Sequence, residues 1–383
     1  IQGGDQSIHA INSSGELWVV GNNTKGSLGL GNTTAYSVLT QVGSLTDWAT
    51  TQASFQVFRA IKTDGTMWTC GESSNGQLAD NATADRSSPV QVGSDTSWNP
   101  NITMARSTMA GLYNSAELKT PPTEVVDTGK QLFTWGDNTN GQLGDGTTVD
   151  RFSPIQIGSR SVWAAMNRGT STKSCLAIKS DGTLWAWGEG SAGFIGDNAT
   201  VDRHSPVQIG SENKWRAMFG GHQNRTQSVV TSEGKLYCWG YNAVGEVGDG
   251  TTTVRSSPVQ IGSLTDWSHG SRASRSGFAI KTDGTLWAWG FNYQGALGDG
   301  STTNRNSPVQ IGALTTWSKV VSLNYGALAI KTDGTLWSWG RNTNNQLGDG
   351  TTTQRLSPVQ IGSGTDWVYI SLGTATSIDH PRK

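Results

Sequence analysis

Residues 279–317 decide the fold: AIKTDGTLWAWG, then FNYQGALGDGSTTNRNSPVQIG, then ALTTW. Ala279-Ile280-Lys281-Thr282 and Leu286-Trp287-Ala288-Trp289 are two short strand-like runs. Asp283-Gly284 lies between them. Asp-Gly is the preferred centre of a two-residue hairpin turn, because glycine accepts positive φ. Pro308-Val309-Gln310-Ile311-Gly312 predicts a third strand, with proline at its start, where no ladder donor is needed. Trp317 to Val321 predicts a fourth.

The same unit recurs outward in both directions. The glycine that ends the second strand returns as Gly21, Gly71, Gly136, Gly188, Gly240, Gly290 and Gly340, so the period is 50 to 52 residues with one interval of 65. The turn returns at Ser14-Gly15, Asp64-Gly65, Asp181-Gly182, Glu233-Gly234 and Asp333-Gly334. A tryptophan leads the fourth strand of every unit: Trp48, Trp98, Trp163, Trp215, Trp267, Trp317 and Trp367. Most of the others, such as Trp187, Trp239, Trp289 and Trp339, fall in the second strand of the hairpin. Large apolar side chains at a fixed repeat phase fill the wedge between neighbouring sheets. Four short strands per unit, seven times, predict an all-β fold: a seven-bladed β-propeller of four-stranded antiparallel blades, one domain over 1–383. The chain starts inside a unit, at Ser7 to Ile11, and ends just after the Trp367 strand. That last strand, Trp367 to Leu372, is expected to pair into the N-terminal blade and close the ring. Blade 1 is then shared between about 7–43 and 367–378.

Composition bounds the function classes. Charged residues make up 15 % of the chain and the net charge is -1. Such a chain lacks the broad positive field that drives sequence-independent nucleic-acid binding, so no nucleic-acid partner is expected. No run of 18 apolar residues is present, and no membrane insertion is expected. Residues 1–7 lack the layout of a signal peptide, and Ile1 in place of Met reads as a mature or trimmed product. Cys70, Cys175 and Cys238 are far apart and read as small buried residues. No metal and no cofactor is expected. His9, His204, His222, His269 and His380 have no metal spacing and no partner in a nucleophile motif, so no catalytic residue is assigned.

The segments Gly141-Gln142-Leu143-Gly144-Asp145-Gly146, Leu297-Gly298-Asp299-Gly300 and Leu347-Gly348-Asp349-Gly350, with Asp-Gly-Thr-Leu-Trp-x-Trp-Gly, resemble the regulator of chromosome condensation repeat. The likeness covers nearly the whole chain. It implies the propeller fold. The founding eukaryotic member of that family binds chromatin and exchanges guanine nucleotide on a small GTPase. That activity is not carried over, since fold is transferable and function is not. The paired glycines of a kelch-type propeller do not recur with the repeat: Gly-Gly stands only at Gly3-Gly4 and Gly220-Gly221. Blade 1 departs from the pattern, with Leu28-Gly29-Leu30-Gly31, Tyr36 in the Arg position and Leu39 in the Pro position. Blade 2 carries Leu78-Ala79-Asp80-Asn81.

Features repeated around the ring read as scaffold. Arg86, Arg151, Arg203, Arg255, Arg305 and Arg355 stand just before the proline, and Asp145, Asp197, Asp249, Asp299 and Asp349 in the preceding turn. Pairing between them is expected to pin the long loop. Asp137-Asn138-Thr139-Asn140-Gly141 is faintly similar to a calcium loop, but lacks the required Glu.

Function is expected where the blades differ, and two places stand out. Trp98 to Gly129 spans 31 residues, against 17 to 19 elsewhere, so an insertion falls at 114–128. Its contact residues are expected at Glu117, Lys119, Pro121, Pro122 and Glu124. The second place is the turn after each Trp-led strand. In blades 3 to 6 it carries Arg106, Arg168, Lys173, His222, Arg225, Arg272 and Arg275. A basic rim in a neutral protein suits an acidic glycan, a phosphate or an acidic partner loop. Low charge and Thr/Asn/Gly richness read as a non-catalytic interaction module displayed on a virion or cell surface, with protein partners or a surface glycan. Two alternatives are a carbohydrate-binding adhesin, using Tyr241, Phe291, Tyr293 and Tyr325, and an intracellular guanine-nucleotide-exchange-like regulator. The expected location of the module is extracellular, on a cell surface or on a virion, with the cytoplasm left open.

Overall fold

The computed structural model describes all residues except 1, 5–6, 13, 55, 99–102, 105–107, 115–129, 159–162, 167–172, 220–225, 273–274, 324, 344–346 and 366–383. In blade 7, Trp317–Leu323 pairs with Gly326–Lys331, that strand with Leu336–Gly340, and that with Arg355–Gln360, all antiparallel. The Trp-led strand therefore ends one repeat in sequence and opens the next blade in space. Blades of this kind occupy 2–41, 48–91, 103–156, 163–208, 215–260, 267–310 and 317–360. One bridge, Lys130 to Trp163, links the third blade to the fourth. The all-β, seven-bladed architecture is as expected.

Consecutive blades converge at their first strands. Trp317–Leu323 packs against both Trp267–Arg272 and Ser276–Lys281 of blade 6. In blade 1 the first strand is Gln2–Gly4, pairing Gln2 with His9 and Gly4 with Ser7. It occupies the edge on which the closing strand was expected. Trp367 to Leu372 lie outside the described residues. Among those described, no helix is long and apolar enough to cross a membrane.

Two local expectations are corrected. The hairpin loop has three residues, Thr282-Asp283-Gly284, between Lys281 and Thr285. Gly284 alone takes the left-handed conformation, at φ +79°, so this is not the two-residue turn that needs two positive φ values. The Asp283 carboxylate instead accepts the amide and hydroxyl of Thr285, at 2.9 and 2.7 Å. That hydroxyl accepts the indole N–H of Trp287 at 2.9 Å. The proline-bearing strand starts at the arginine, Arg305–Gln310, with Pro308 inside it. The ladder is irregular between Ala288 and Gly290, and the strand is the outer edge of its sheet, so no donor is missed there.

Each hydrophobic core lies at a junction between consecutive blades. Phe278, Ile280, Leu286 and Leu297 of blade 6 pack on Trp317, Val320, Ala329 and Trp339 of blade 7. The other five cores join the remaining consecutive pairs from blade 1 to blade 6 in the same way. The cysteines are lining residues of these cores: Cys70 and Cys238 are buried, and burial pushes the Cys238 thiol up to about 11. Repeated lysines lie over the tryptophan rings. Lys331 Nζ lies 3.5 Å from the ring centroid of Trp337 and 5.1 Å from that of Trp317.

In blades 2 to 5 the long loop after the third strand clamps the next blade. The indole N–H groups of Trp187, Trp239 and Trp289 donate to the carbonyls of Gln142, Phe194 and Glu246 in the preceding blade, at 2.9, 3.1 and 3.1 Å. Two residues after that carbonyl stands a glycine lying against the same indole. At Gly298, φ is +80° and an added Cβ would sit 2.6 Å from Trp339 Nε1. A buried asparagine holds the loop in shape. Asn292 Nδ2 donates to the Asp299 carboxylate and to the carbonyls of Ser301 and Thr303, while its oxygen accepts the Leu297 amide at 2.8 Å. Arg305 Nε closes the knot on Asp299 at 2.7 Å. The expected Arg–Asp pairing is present in six blades, including Asp80–Arg86 of blade 2.

Gly298→Ala is expected to destabilise the fold by about 2–3 kcal/mol, through left-handed strain plus overpacking against Trp339. Gly312→Ala, at φ +65° with nothing within 4 Å, carries the strain alone, about 1 kcal/mol. Urea unfolding of the two variants measures the difference. Burial raises the pKa of Asp145, Asp249 and Asp299, but hydrogen bonds from Thr or Ser and from Arg outweigh it and hold all three below the ordinary 3.8. A carboxylate depressed in the folded state stabilises fully above its unfolded pKa. That stability disappears as pH falls below about 4 toward the folded values. Thermal melts from pH 7 to pH 2 are expected to show a steep loss at the acid end, shallower in Asp299→Asn.

Candidate functional site

Blades 2, 4, 6 and 7 share one backbone device on the face that carries their first turns. The carbonyl of the last turn residue accepts the amide of the residue after the glycine that ends the third strand. The pairs are Gln56 and Glu72, Lys173 and Glu189, Arg275 and Phe291, and Tyr325 and Arg341, at 2.8 to 2.9 Å. The glycine makes this approach feasible: a Cβ on Gly290 would stand 2.4 Å from the Arg275 carbonyl oxygen. The backbone is thus constant while the two side chains it juxtaposes vary from blade to blade.

In blades 6 and 7 these variable positions merge into one cluster. The Arg275 guanidinium lies 4.7 Å from the ring centroid of Phe291, and that of Arg341 lies 5.7 Å from Tyr325. Phe291 is 6.0 Å from Tyr293 and 6.4 Å from Tyr325, and the two tyrosines are 5.9 Å apart. Tyr293 opens the short 3₁₀ turn Tyr293–Gly295 and is 52 % exposed. The other four side chains are half-buried.

Arg275 is anchored from below. Its Nε donates to Glu246 Oε1 at 3.1 Å, and Glu246 is fully buried. The second carboxylate oxygen accepts the Val244 amide at 2.7 Å. Gln142 and Gln77 accept the equivalent amide in blades 3 and 2 with a neutral oxygen. Glu246 therefore adds a buried charge that the loop does not need, and Arg275 compensates it. Arg341 is held similarly, with its Nε donating to Thr343 Oγ1 at 2.9 Å.

The expected rim residues separate on inspection. Arg275 belongs to the cluster. Arg272 does not reach the rim. It is fully buried, donates from Nη2 to the Glu246 carbonyl at 2.9 Å and lies over Trp289. It ends the first strand, where alternation turns its side chain into the junction of blades 5 and 6. Burial lowers its pKa. Lys173 is exposed at the matching turn of blade 4. Arg106, Arg168, His222 and Arg225 lie outside the described residues. So do Glu117, Lys119, Pro121, Pro122 and Glu124 of the insertion. The insertion itself leaves a hairpin in which Asn114 still pairs with Lys130. Of the aromatic set, Phe291, Tyr293 and Tyr325 come together, while Tyr241 stands in blade 5. Glu246 and Arg341 were missed. The signal for Glu246 was an acid where three other repeats carry glutamine: Gln77, Gln142 and Gln346.

Models of the regulator of chromosome condensation (RCC1) repeat match residues 131–166, 181–224, 233–271, 283–327 and 333–378, more than half of the chain. The chain belongs to the RCC1 repeat family. Its sequence is similar to that of the ultraviolet-B receptor UVR8 of Arabidopsis thaliana, 27 % identical over 158 residues. That match covers 39 % of this chain and about a third of the receptor, 36 %. The fold is similar to that of human WBSCR16, with TM-score 0.65 and 16 % identity, covering 91 % of this chain and 94 % of that one. It is also similar to Prp20p of Saccharomyces cerevisiae, with TM-score 0.61 and 17 % identity over 85 % of this chain and 80 % of that one. An RCC1-like propeller accords with a protein-interaction or regulatory role. The expected virion or cell-surface display, and the adhesive role, gain no support from these relatives.

Arg275→Ala leaves Glu246 buried and unpaired, and is expected to destabilise the fold by about 2–3 kcal/mol. Glu246→Gln added to it restores the neutral arrangement of blades 2 and 3 and is expected to recover most of that loss. A double-mutant cycle by urea unfolding checks the coupling.

Proposed function

We propose that this chain is a non-catalytic interaction module that docks a protein partner on the first-turn face of blades 6 and 7. The supporting observation is that a constant backbone device presents side chains that vary, and that here they gather into one partly exposed aromatic and guanidinium cluster. Rigid scaffold with variable side chains is the arrangement of a recognition surface. Aromatic residues and arginine are also the types enriched at interface hot spots. A glycan is a poorer fit, because the ring faces of Phe291 and Tyr325 that a sugar would stack on already carry guanidinium groups.

A photo-crosslinking residue placed at position 293 is expected to capture a discrete partner from extract of the source organism. Capture is expected to be lost in Phe291→Ser/Tyr325→Ser. The same probe at Asp283, in the hairpin turn at the other end of the strands, is expected to capture nothing comparable. Capture only from position 283 overturns the reading.

A second reading is an exchange-factor-like regulator of a small GTPase. It is favoured by the fold shared with Prp20p, a protein described with its binding to Gsp1p and to histones. Accelerated release of a fluorescent guanine nucleotide from a candidate GTPase supports it, and no acceleration across the candidates removes it.

A further inference from the structure

We infer that the cluster of Arg275, Phe291, Tyr293, Tyr325 and Arg341 recognises an acidic segment of its protein partner; this rests on the docking reading above. Charge complementarity decides the chemistry. Each guanidinium uses its Nε internally, on Glu246 or on Thr343. Each also lies over an aromatic ring. Among the described residues neither has a further hydrogen-bond partner. The Nη edges are therefore the groups left to a partner, and they are donors in a fixed orientation. Holding the plane on a ring and the Nε on an acceptor removes most of the rotamer entropy an arginine loses on binding.

Carboxylates match this arrangement, since a guanidinium edge binds them with two parallel hydrogen bonds. A cationic partner does not. Two cations already cover the electron-rich ring faces, and like charges would face each other across the contact. Nearby charge adds to the positive field. Arg272 lies buried nearby, with its Nη2 donating to the main-chain carbonyl of Glu246. Tyr293, the most exposed ring, supplies apolar surface beside the guanidinium groups, so the segment is expected to pair its acids with an aromatic or aliphatic side chain. Single-stranded nucleic acid would also meet rings and arginines. The net charge of -1 disfavours it, because the field that gathers phosphates is missing.

A phage library of random decapeptides panned on the intact chain tests the proposal. The expected enrichment is for Asp and Glu next to an aromatic or aliphatic residue. A fluorescein-labelled peptide of the enriched sequence is expected to bind, by anisotropy, at least ~10-fold more weakly to Arg341→Ala and to Glu246→Gln/Arg275→Ala. The second variant keeps the buried loop neutral, so its loss of binding is not a loss of folding. Lys214→Ser/Lys235→Ser, at the hairpin-turn end of blade 5, is expected to bind normally. Rising salt is expected to weaken the contact. No acidic enrichment, equal affinity in the arginine variants, or tighter binding of a Lys-for-acid peptide or of a uridine decamer overturns the proposal. Crosslinking from position 293 that persists in such a case leaves the docking reading standing and removes only the acidic chemistry. Loss of both removes both.

Discussion

The clamp of a loop on the next blade's tryptophan, made at Trp135, Trp187, Trp239 and Trp289, is the contact on which the rest of this propeller depends. A four-stranded blade has two faces and cannot bury either alone. The loop after the third strand solves this by reaching across the junction. Its carbonyl takes the indole N–H, its Leu, Ile or Val enters the junction core, and its glycine lies flat on the ring. Glycine is needed because φ is positive and because a Cβ would occupy the space of the indole. Blade 2 shows what deviation looks like: Ala79 holds the glycine position at φ +57°.

The polar knot of Asn, Asp and Arg serves that clamp. A loop crossing between blades has amides and carbonyls that no strand satisfies. One buried asparagine satisfies several of them, and the aspartate and arginine lock the loop's far end. The residues that recur most regularly are therefore spent on holding blades together. They are removed from the list of recognition residues by the same geometry that makes them recur.

What remains variable is placed by the first-turn hydrogen bond. It sets two side chains from distant parts of one blade side by side, and neighbouring blades bring four such positions into reach. In blades 6 and 7 the result is a pair of guanidinium groups, each oriented by a ring and by an acceptor for its Nε. Glu246 is part of this design. Its buried charge has no role in the loop that glutamine does not fill in blades 2 and 3, so its consequence is the fixed position of Arg275.

The sequence by itself determined the blade number, the four strands per blade, the buried tryptophans and the Arg–Asp pairing. These follow from residue types at a fixed period, and a period of two in the strands and about fifty in the chain is legible in one dimension. It misjudged the hairpin loop by one residue and the start of the proline strand, because turn type depends on φ at Asp283 and strand ends on pairing. The tertiary structure alone decided which irregular residues meet. Arg272 and Arg275 are three apart, yet one is buried at a junction and the other anchored at the rim. Phe291 and Tyr325 are far apart in the chain and nearly touch in space. Composition gave no hint of either, because contact across blades depends on where two separate turns are held, and that is a property of the assembled ring.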